Sequence, residues 1–320
     1  MTKYQLIQCM NKKRWNYFVD NSPQGNIFCK TEFLDIWNKE YDLYFVMANK
    51  NIILGIPITK EPTSTFLYQG MLYSELFSTL LEHKKTKKEL ELINFSLEEL
   101  EKKYTSLSFP LHYSFKDIRA FQWFHYHTPE DGQFNMQLRY TGILDISKIN
   151  TFDEILSNSR TVRRQEYRKA IKEGFHVEET EDIKTLDQLH DMTFKRQGIT
   201  RNIREKKLTT ELAADSLKKG YGRLLICKDK NNTPMSASLF LFDNKCAYYL
   251  IGANNPAYRK FGVGTFVLYQ QIKKSMELGL RRIDFVGINS PNRGDYKISF
   301  NAKSTPYYTL NWKAKNNEIS

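Results

Sequence analysis

Residues 247–287 constrain the fold of this 320-residue chain more than any other stretch, because they predict a strand, a turn, a helix and a second strand in succession. Residues 248–251 are apolar and favour β structure. After a turn at 254–256, apolar residues recur every four positions, which is typical of the buried face of a helix. They are Leu268, Ile272 and Met276. Gly279 predicts the end of this helix, and 282–287 return as a strand.

The turn before this helix carries the spacing Arg259-x-x-Gly262-x-Gly264. Glycine has no Cβ, so backbone N–H groups at such a turn can approach an oxyanion closely. The helix N-terminus adds unpaired donors and partial positive charge, which together suit a pyrophosphate. The turn is not a P-loop, because no Gly-Lys-Ser/Thr follows, and the six-position dinucleotide pattern is absent. A glycine turn that binds no ligand is the alternative.

The formal net charge of +12 favours anionic partners such as CoA, a nucleotide sugar, tRNA or the inner membrane surface, without choosing among them. Stable DNA binding is not expected. The cysteines are scattered without C-x-x-C spacing, so we expect reduced thiols in a cytoplasmic protein and no metal site. They are Cys9, Cys29, Cys227 and Cys246. No apolar run reaches eighteen residues, which predicts no transmembrane helix but leaves peripheral membrane association open.

A second informative stretch, 157–174, predicts a helix that carries a row of arginines. Arg160, Arg164 and Arg168 follow one another at four-residue spacing on one face, and Arg163 lies beside them. Planar guanidinium forks bind phosphate or carboxylate groups, and no glutamates recur at four-residue spacing to neutralise the row. The row therefore predicts contacts with an anionic substrate. A solvent-exposed helix of mixed charge is the alternative.

Residues 115–126 are unusually aromatic. His125 and His127 alternate, so on a strand both would point to one side. Two histidines without a third ligand make a poor metal site. We therefore interpret Trp123 and His125 as strand packing or substrate lining.

The two halves of the chain repeat a pattern. Residues 43–73 and 223–251 each predict a strand, a polar turn, a strand with small residues, a short turn and an aromatic strand. The repeat predicts an α/β (α+β) fold of two related units, residues 1–150 and 151–320. Each would be a mixed, mostly antiparallel sheet flanked by helices, with a ligand-binding cleft between them.

These features together resemble the FemABX branch of the GNAT acyltransferase superfamily, and more narrowly its FemAB-like or BioF2-like proteins. The glycine turn resembles the acyl-CoA motif Arg/Gln-x-x-Gly-x-Gly/Ala, and 295–300 (D-Y-K-I-S-F) resemble another family segment. The resemblance spans roughly 15–310 and implies tandem GNAT domains that transfer an acyl group to an amine. Two departures are Asn301 in place of the family glycine and the lack of the coiled-coil insertion of larger tRNA-dependent members.

The resemblance implies an N-acyltransferase that uses acyl-CoA, most simply acetyl-CoA, and no metal. Its acceptor would be the amine of a small anionic molecule, such as a nucleotide-linked amino sugar in surface-polysaccharide or cell-envelope biosynthesis. One alternative is a Fem-type transferase that uses aminoacyl-tRNA. A second is a non-catalytic protein that binds nucleic acid or a membrane surface.

The chemistry requires a neutral amine, donors for an oxyanion and a proton for the leaving group. Carried over from the family, the motif lysine falls on Lys297 and the motif aspartate on Asp284. Tyr258 and Tyr296 are candidate proton donors. No Cys–His or Ser–His–Asp arrangement is visible, which favours direct transfer. The residues expected to contact the donor are Ile251, Ala253, Arg259, Gly262, Val263 and Gly264.

Overall fold

The computed structural model describes residues 4–37, 40–60, 68–82 and 86–315. The chain divides into two compact units, Met1–Arg139 with Pro306–Ser320, and Tyr140–Thr305. The sequence placed a single boundary at 150/151. In the structure the chain enters the second unit earlier and returns to the first at its end, because the last strand pairs with a strand of the first unit.

The first unit contains an antiparallel sheet in the order β1-β2-β3-β4 and a separate antiparallel pair, β5 and β12. The first two strands predicted within 43–73 are confirmed as β2 and β3, whose central residues are buried on both faces. The elements are β1 (Gln5–Gln8), α1 (Lys12–Asn21), α2 (Thr31–Trp37), β2 (Tyr41–Ala48), β3 (Asn51–Thr59), β4 (Leu72–Tyr73), α3 (Glu75–Glu82), α4 (Thr86–Glu101), β5 (Ser106–Pro110) and α5 (Arg119–Trp123).

The strand considered for the aromatic segment 115–126 is wrong. The segment contains the short helix α5 and then a turn in which His125 has a φ of +53°. Its aromatic residues serve the core: the ring of Phe121 lies 5.9 Å from that of Phe109 and 5.4 Å from that of Phe134. Aromatic content alone did not distinguish a strand from a buried helical turn.

The second unit contains a mixed sheet in the order β6-β11-β10-β9-β8-β7, in which only β10 and β11 are parallel. This architecture confirms the predicted α/β class with mostly antiparallel sheets flanked by helices. The remaining elements are β6 (Asn135–Asp145), α6 (Phe152–Asn158), α7 (Thr161–Lys172), β7 (His176–Glu179), α8 (Ile183–Lys195), α9 (Ile203–Lys219), β8 (Gly222–Lys228), β9 (Pro234–Phe242), β10 (Cys246–Asn254), α10 (Val263–Glu277), β11 (Arg282–Asp284), α11 (Pro291–Ile298) and β12 (Lys303–Lys313).

Helix α10 connects the two parallel strands, as a parallel pair requires a crossover. Its predicted stripe is confirmed, since Leu268 and Ile272 are fully buried and Met276 packs against the same core. Gly279, with a φ of +70°, follows the end of the helix as predicted. In the described ranges, no helix has both the length and the apolar character needed to cross a membrane.

The single helix predicted over 157–174 is two helices, α6 and α7. Ser159 lies between them in extended conformation, and its hydroxyl donates to the carbonyl of Ile155 at 2.7 Å. Arg160 precedes α7, and its N–H donates to the carbonyl of Ser299 at 2.8 Å. The break therefore removes Arg160 from the helical row.

We expect Ile272→Ala to lower the free energy of unfolding by about 2–5 kcal/mol, because it opens a cavity under a fully buried helix face. The neighbouring Lys273 is exposed on the same helix, so Lys273→Ala should change stability little. Urea unfolding followed by circular dichroism measures both. Equal stability of the two variants would contradict the assigned helix face.

Candidate active site

Strands β10 and β11 part after three residue pairs. Their parallel ladder joins 246–248 to 282–284 and then ends. Strand β10 continues to Asn254 and stays paired with β9 on its other edge, with a bulge between Tyr249 and Ile251. In the described part of the chain, the β11-facing edge of 249–254 therefore has no ladder partner. Backbone groups on such an edge are available to a ligand, except at Asn254, whose N–H donates to Thr193 Oγ1 at 2.8 Å.

The turn that leaves β11 has an unusual backbone. Val286 and Gly287 are both left-handed, with φ of +48° and +64°. This conformation is costly for a β-branched residue such as Val286. The ammonium of Lys297 holds the turn by donating to the carbonyls of Val286 and Gly287 at 2.5 and 3.1 Å. Lys297 Nζ also lies 5.5 Å from the centre of the Tyr249 ring, next to the open strand edge.

Burial lowers the pKa of Lys297 to about 8, although the nearby Asp284 carboxylate acts in the opposite direction. Asp284 itself is buried at the end of β11. Its Oδ1 accepts hydrogen bonds from the Thr141 hydroxyl and, at 2.8 Å, from the N–H of Val286. The structure thus brings Lys297 and Asp284 together around one turn, and gives Lys297 a proton that it can exchange near neutral pH.

Tyr296 lies beside the first turn of α10. Its hydroxyl is 3.4 Å from Thr265 Oγ1, and its ring lies 4.9 Å below the guanidinium of Arg163. Burial raises the pKa of Tyr296 to about 12, so its hydroxyl keeps its proton at neutral pH. Tyr296 also contributes to the raised pKa of Tyr249, which places the two hydroxyls near each other. Tyr296 can therefore donate a proton here.

Both glycines of the turn are required by packing within the protein. Gly262 has a φ of +71°, and a Cβ on it would lie 2.5 Å from the Cβ of Glu166. A Cβ on Gly264 would lie 2.7 Å from Oδ1 of Asn254, the last residue of β10. The Gly262 contact leaves no room for a side chain, and at Gly264 the Asn254 side chain would have to move. The glycine spacing alone is therefore no argument for a ligand.

Glu166 places a carboxylate next to the glycine turn, at the first turn of α10. Its Oε2 accepts from the Thr265 hydroxyl at 2.5 Å and pairs with Arg163 Nη1 at 2.7 Å. Thr265 is the third residue of α10, so the negative charge lies at the positive end of that helix. Gly262 and Val263 are buried beneath this arrangement. The binding of a pyrophosphate by the N–H groups of this turn stays a prediction.

Two of the predicted arginines have acidic partners from elsewhere in the fold. Arg160 makes two hydrogen bonds of 2.8 Å to Asp295 of α11, and Arg163 pairs with Glu166. Arg164 donates to the Thr161 hydroxyl at 2.9 Å, whereas Arg168 is exposed. A search for glutamates at four-residue spacing does not find these partners, because one is three residues away and the other lies on α11. A substrate contact of this row stays a prediction.

The other predicted donor contacts are spread along β10 and the turn. The side chains of Ile251 and Ala253 lie in the core, so only their backbone groups remain available. Tyr258 lies on the 3₁₀ turn Pro256–Phe261, packed near Phe261, and no bond joins it to Tyr296, Lys297 or Asp284 in the described residues. Its role as a proton donor stays a prediction.

Trp123 and His125 lie in the first unit. Trp123 is exposed and stacks on Tyr126, with ring centres 4.4 Å apart. His125 Nε2 is 2.8 Å from the carboxylate of Glu101, and its Nδ1 is 2.9 Å from the carbonyl of Gly132. No described group of three or more His, Cys, Asp or Glu side chains is arranged to hold a metal ion.

Sequence reasoning missed several residues of the site: Glu166, Thr265, Tyr249 and Arg196. The signal for Glu166 was its position three residues after Arg163. Arg196 sits near Arg259 of the turn: burial and then the charge of Arg259 lower the pKa of Arg196. Both guanidiniums are exposed, and neither has an acidic partner in the described residues.

Residues 157–297 match the family model of the acetyltransferase (GNAT) domain. The matched stretch contains β10, the glycine turn, α10, β11 and Lys297. Residues 157–297 are a GNAT-type domain. The GNAT domain makes the chain an acyltransferase.

Solved structures extend the likeness to the whole chain. FemX shares its fold with a TM-score of 0.73 at 14% identity, covering 97% of this chain and 98% of FemX. A conserved protein of unknown function from Bacteroides thetaiotaomicron matches with a TM-score of 0.58 at 10% identity, covering 98% and 100%. A tandem GNAT protein from the clavulanic acid biosynthesis pathway matches with 0.54 at 9% identity, covering 98% and 99%. A search of curated proteins found no match. These likenesses confirm the expected FemAB-like tandem GNAT fold.

The lowered pKa of Lys297 makes a prediction about stability. Between about pH 8 and the usual lysine pKa near 10.4, the unfolded chain binds a proton that the folded chain has lost, so stability rises with pH. We expect the difference in unfolding free energy between the wild type and Lys297→Met to shift by about 1–2 kcal/mol in favour of the wild type from pH 7 to 10. Urea unfolding measures it. The exposed Lys303→Met is the control, and a shift equal to the control would contradict the prediction.

Proposed function

We propose that the chain is an N-acyltransferase that moves an acyl group from an activated carrier to the amine of a small anionic acceptor in cell-envelope or surface-polysaccharide biosynthesis. The observation that carries the proposal is the open edge of β10 at 249–254, lined by Lys297 and Tyr296 within a GNAT domain. A carbonyl at this edge meets backbone donors and two side chains with exchangeable protons.

We assign the following roles in the proposed acyl transfer. Backbone N–H groups of 249–253 stabilise the oxyanion that forms when the amine attacks the carbonyl. Lys297, whose pKa of about 8 is close to physiological pH, takes up or releases protons as the amine reacts, and Asp284 positions it. Tyr296 donates the proton that the leaving group needs. The nucleophile is the acceptor nitrogen, so no covalent enzyme intermediate is required.

A CoA thioester, most simply acetyl-CoA, is one donor. The match of 157–297 to an acetyltransferase domain supports it. So does the exposed pair Arg196 and Arg259, because two neighbouring guanidiniums without a carboxylate favour a phosphate between them. Under this donor, Glu166 has to leave the first turn of α10.

An aminoacyl-tRNA is the second donor, and the position of Glu166 favours it. Its carboxylate pairs with Arg163 and accepts from the Thr265 hydroxyl in the first turn of α10, so a pyrophosphate at that turn would lie next to a negative charge. An ester at the end of an RNA carries its reactive carbonyl without a pyrophosphate next to it, and the exposed arginines suit its phosphates. The negative charge of Glu166 beside this turn therefore favours aminoacyl-tRNA over acyl-CoA as the donor.

A label-transfer assay separates the donors. The purified chain is incubated with UDP-glucosamine and a panel of other amines, in parallel with [14C]acetyl-CoA and with [14C]alanyl-tRNA. We expect transfer to an amine from the tRNA donor, and slower transfer or none from acetyl-CoA. Transfer from acetyl-CoA alone would reverse the choice of donor. Transfer from neither, together with salt-sensitive RNA binding, would support the non-catalytic alternative.

Replacing Glu166 tests directly whether its carboxylate weakens the binding of CoA. Glu166→Ala removes the carboxylate at the N-terminus of α10, so we expect the affinity for CoA to rise about tenfold, equivalent to about 1.4 kcal/mol. Isothermal titration calorimetry measures the affinity. Glu173→Ala is the matched control, because Glu173 is exposed and directly follows α7, the helix that carries Glu166. Tight CoA binding by the wild type that Glu166→Ala weakens or leaves unchanged would contradict the role of Glu166.

A further inference from the structure

The first unit contains a cavity of about 730 Å³, which lies within the range of small-molecule sites. It lies where β2 begins, β3 ends, β5 begins and β12 ends, next to the segment 103–105 that follows α4. None of the residues assigned to the acyl-transfer site lines it. The inference below therefore stands independently of the proposed function.

One wall is a directed chain of hydrogen bonds. The Tyr104 hydroxyl donates to Asp42 Oδ2 at 2.6 Å, and the Gln8 amide donates to Asp42 Oδ1 at 3.1 Å. Burial and the bond to Asp42 raise the pKa of Tyr104, so its hydroxyl stays protonated. Tyr104 has a single hydroxyl hydrogen, which Asp42 accepts. Tyr44, 2.8 Å from Tyr104, must therefore be the donor of that bond.

This direction determines what the wall offers to a ligand. Because the hydrogen of Tyr44 is used on Tyr104, the Tyr44 oxygen is left as an acceptor. At the other wall, Ser108 donates to Asn311 Oδ1 at 2.8 Å. The amide NH2 of Asn311 is then a donor with no hydrogen bond to another described residue. The cavity thus holds fixed acceptors and donors together, which suits hydroxyl groups, since each hydroxyl both donates and accepts.

Positive charge accompanies these groups. Lys60 and Lys103 both line the cavity. Lys60 Nζ lies 3.8 Å from Asp42 Oδ2, whereas exposed Lys103 makes no ion pair with another described residue. The apolar residues Ile58, Leu107 and Trp312 complete the lining. A ligand that matches the hydrogen-bonding groups, the lysines and the apolar residues of this lining has a hydroxylated ring with an apolar face and one anionic group.

We propose that this cavity binds a sugar phosphate. The ring hydroxyls pair with Tyr44, Ser108 and Asn311, and the phosphate lies against Lys103. The same chemistry occurs in a free sugar phosphate and in a nucleotide-linked sugar.

Calorimetric titration of the full chain with glucose 1-phosphate tests the proposal, with glucose and inorganic phosphate as separate probes. We expect glucose 1-phosphate to bind more tightly than either fragment. Tyr44→Phe and Lys103→Gln should each weaken it about fivefold, as expected for the loss of one hydrogen bond or one charge contact. A UDP-glucose titration identifies the source: tighter binding than glucose 1-phosphate indicates a nucleotide-linked sugar, and equal or weaker binding indicates the free sugar phosphate.

Matched controls lie next to both positions. Tyr41→Phe changes a hydroxyl on the same strand that bonds to Asp35, and Lys102→Gln changes an exposed lysine that pairs with Glu99. Neither residue lines the cavity. No binding of glucose 1-phosphate, or binding that both Tyr44→Phe and Lys103→Gln leave at the level of their controls, would overturn the proposal. Lys103 is exposed, so its variant folds even if Tyr44→Phe does not.

Discussion

The proposed acyl-transfer site depends on one contact, in which the ammonium of Lys297 donates to two carbonyls of the turn after β11. Val286 and Gly287 are left-handed, and for Val286 that conformation is costly. Lys297 offsets the cost by bonding both carbonyls, and Asp284 accepts from the N–H of Val286. The turn diverts the chain away from β10 after three residue pairs. Without it the ladder could continue and close the edge on which the proposed chemistry depends.

The spacing of apolar residues in the sequence predicted the helix and the strands that carry this site. The four-residue stripe of α10 and the apolar strands on either side follow from the side chains themselves, because helices and strands bury residues at fixed spacings. The aromatic segment 115–126 was misread since large aromatic rings fill a core equally well from a helix. The break before α7 was missed because Arg160 is held by Ser299, far away along the chain. Contacts of this kind leave no local spacing to detect.

The glycine turn shows how one pattern can have two physical causes. A glycine is needed where a ligand approaches the backbone, and equally where another part of the protein does. Gly262 faces Glu166 and Gly264 faces Asn254, so the second cause holds for both. Packing within the protein therefore explains both glycines without a ligand, and donor binding at this turn stays a prediction. A motif of small residues therefore predicts a close approach and leaves open which atoms make it.

The return of β12 to the first unit has a consequence for synthesis of the chain. Asn311 and Trp312 line the cavity of the first unit and pair with Ser108 and Leu107 of β5, although about two hundred residues separate the two strands in sequence. Domains fold as their residues leave the ribosome, N-terminal ones usually first. Here the order is inverted: the continuous unit Tyr140–Thr305 is complete before the first unit receives its last strand. Until β12 has been synthesised, β5 lacks this strand partner, and a nascent chain that stalls before β12 has a complete GNAT domain and an incomplete first unit.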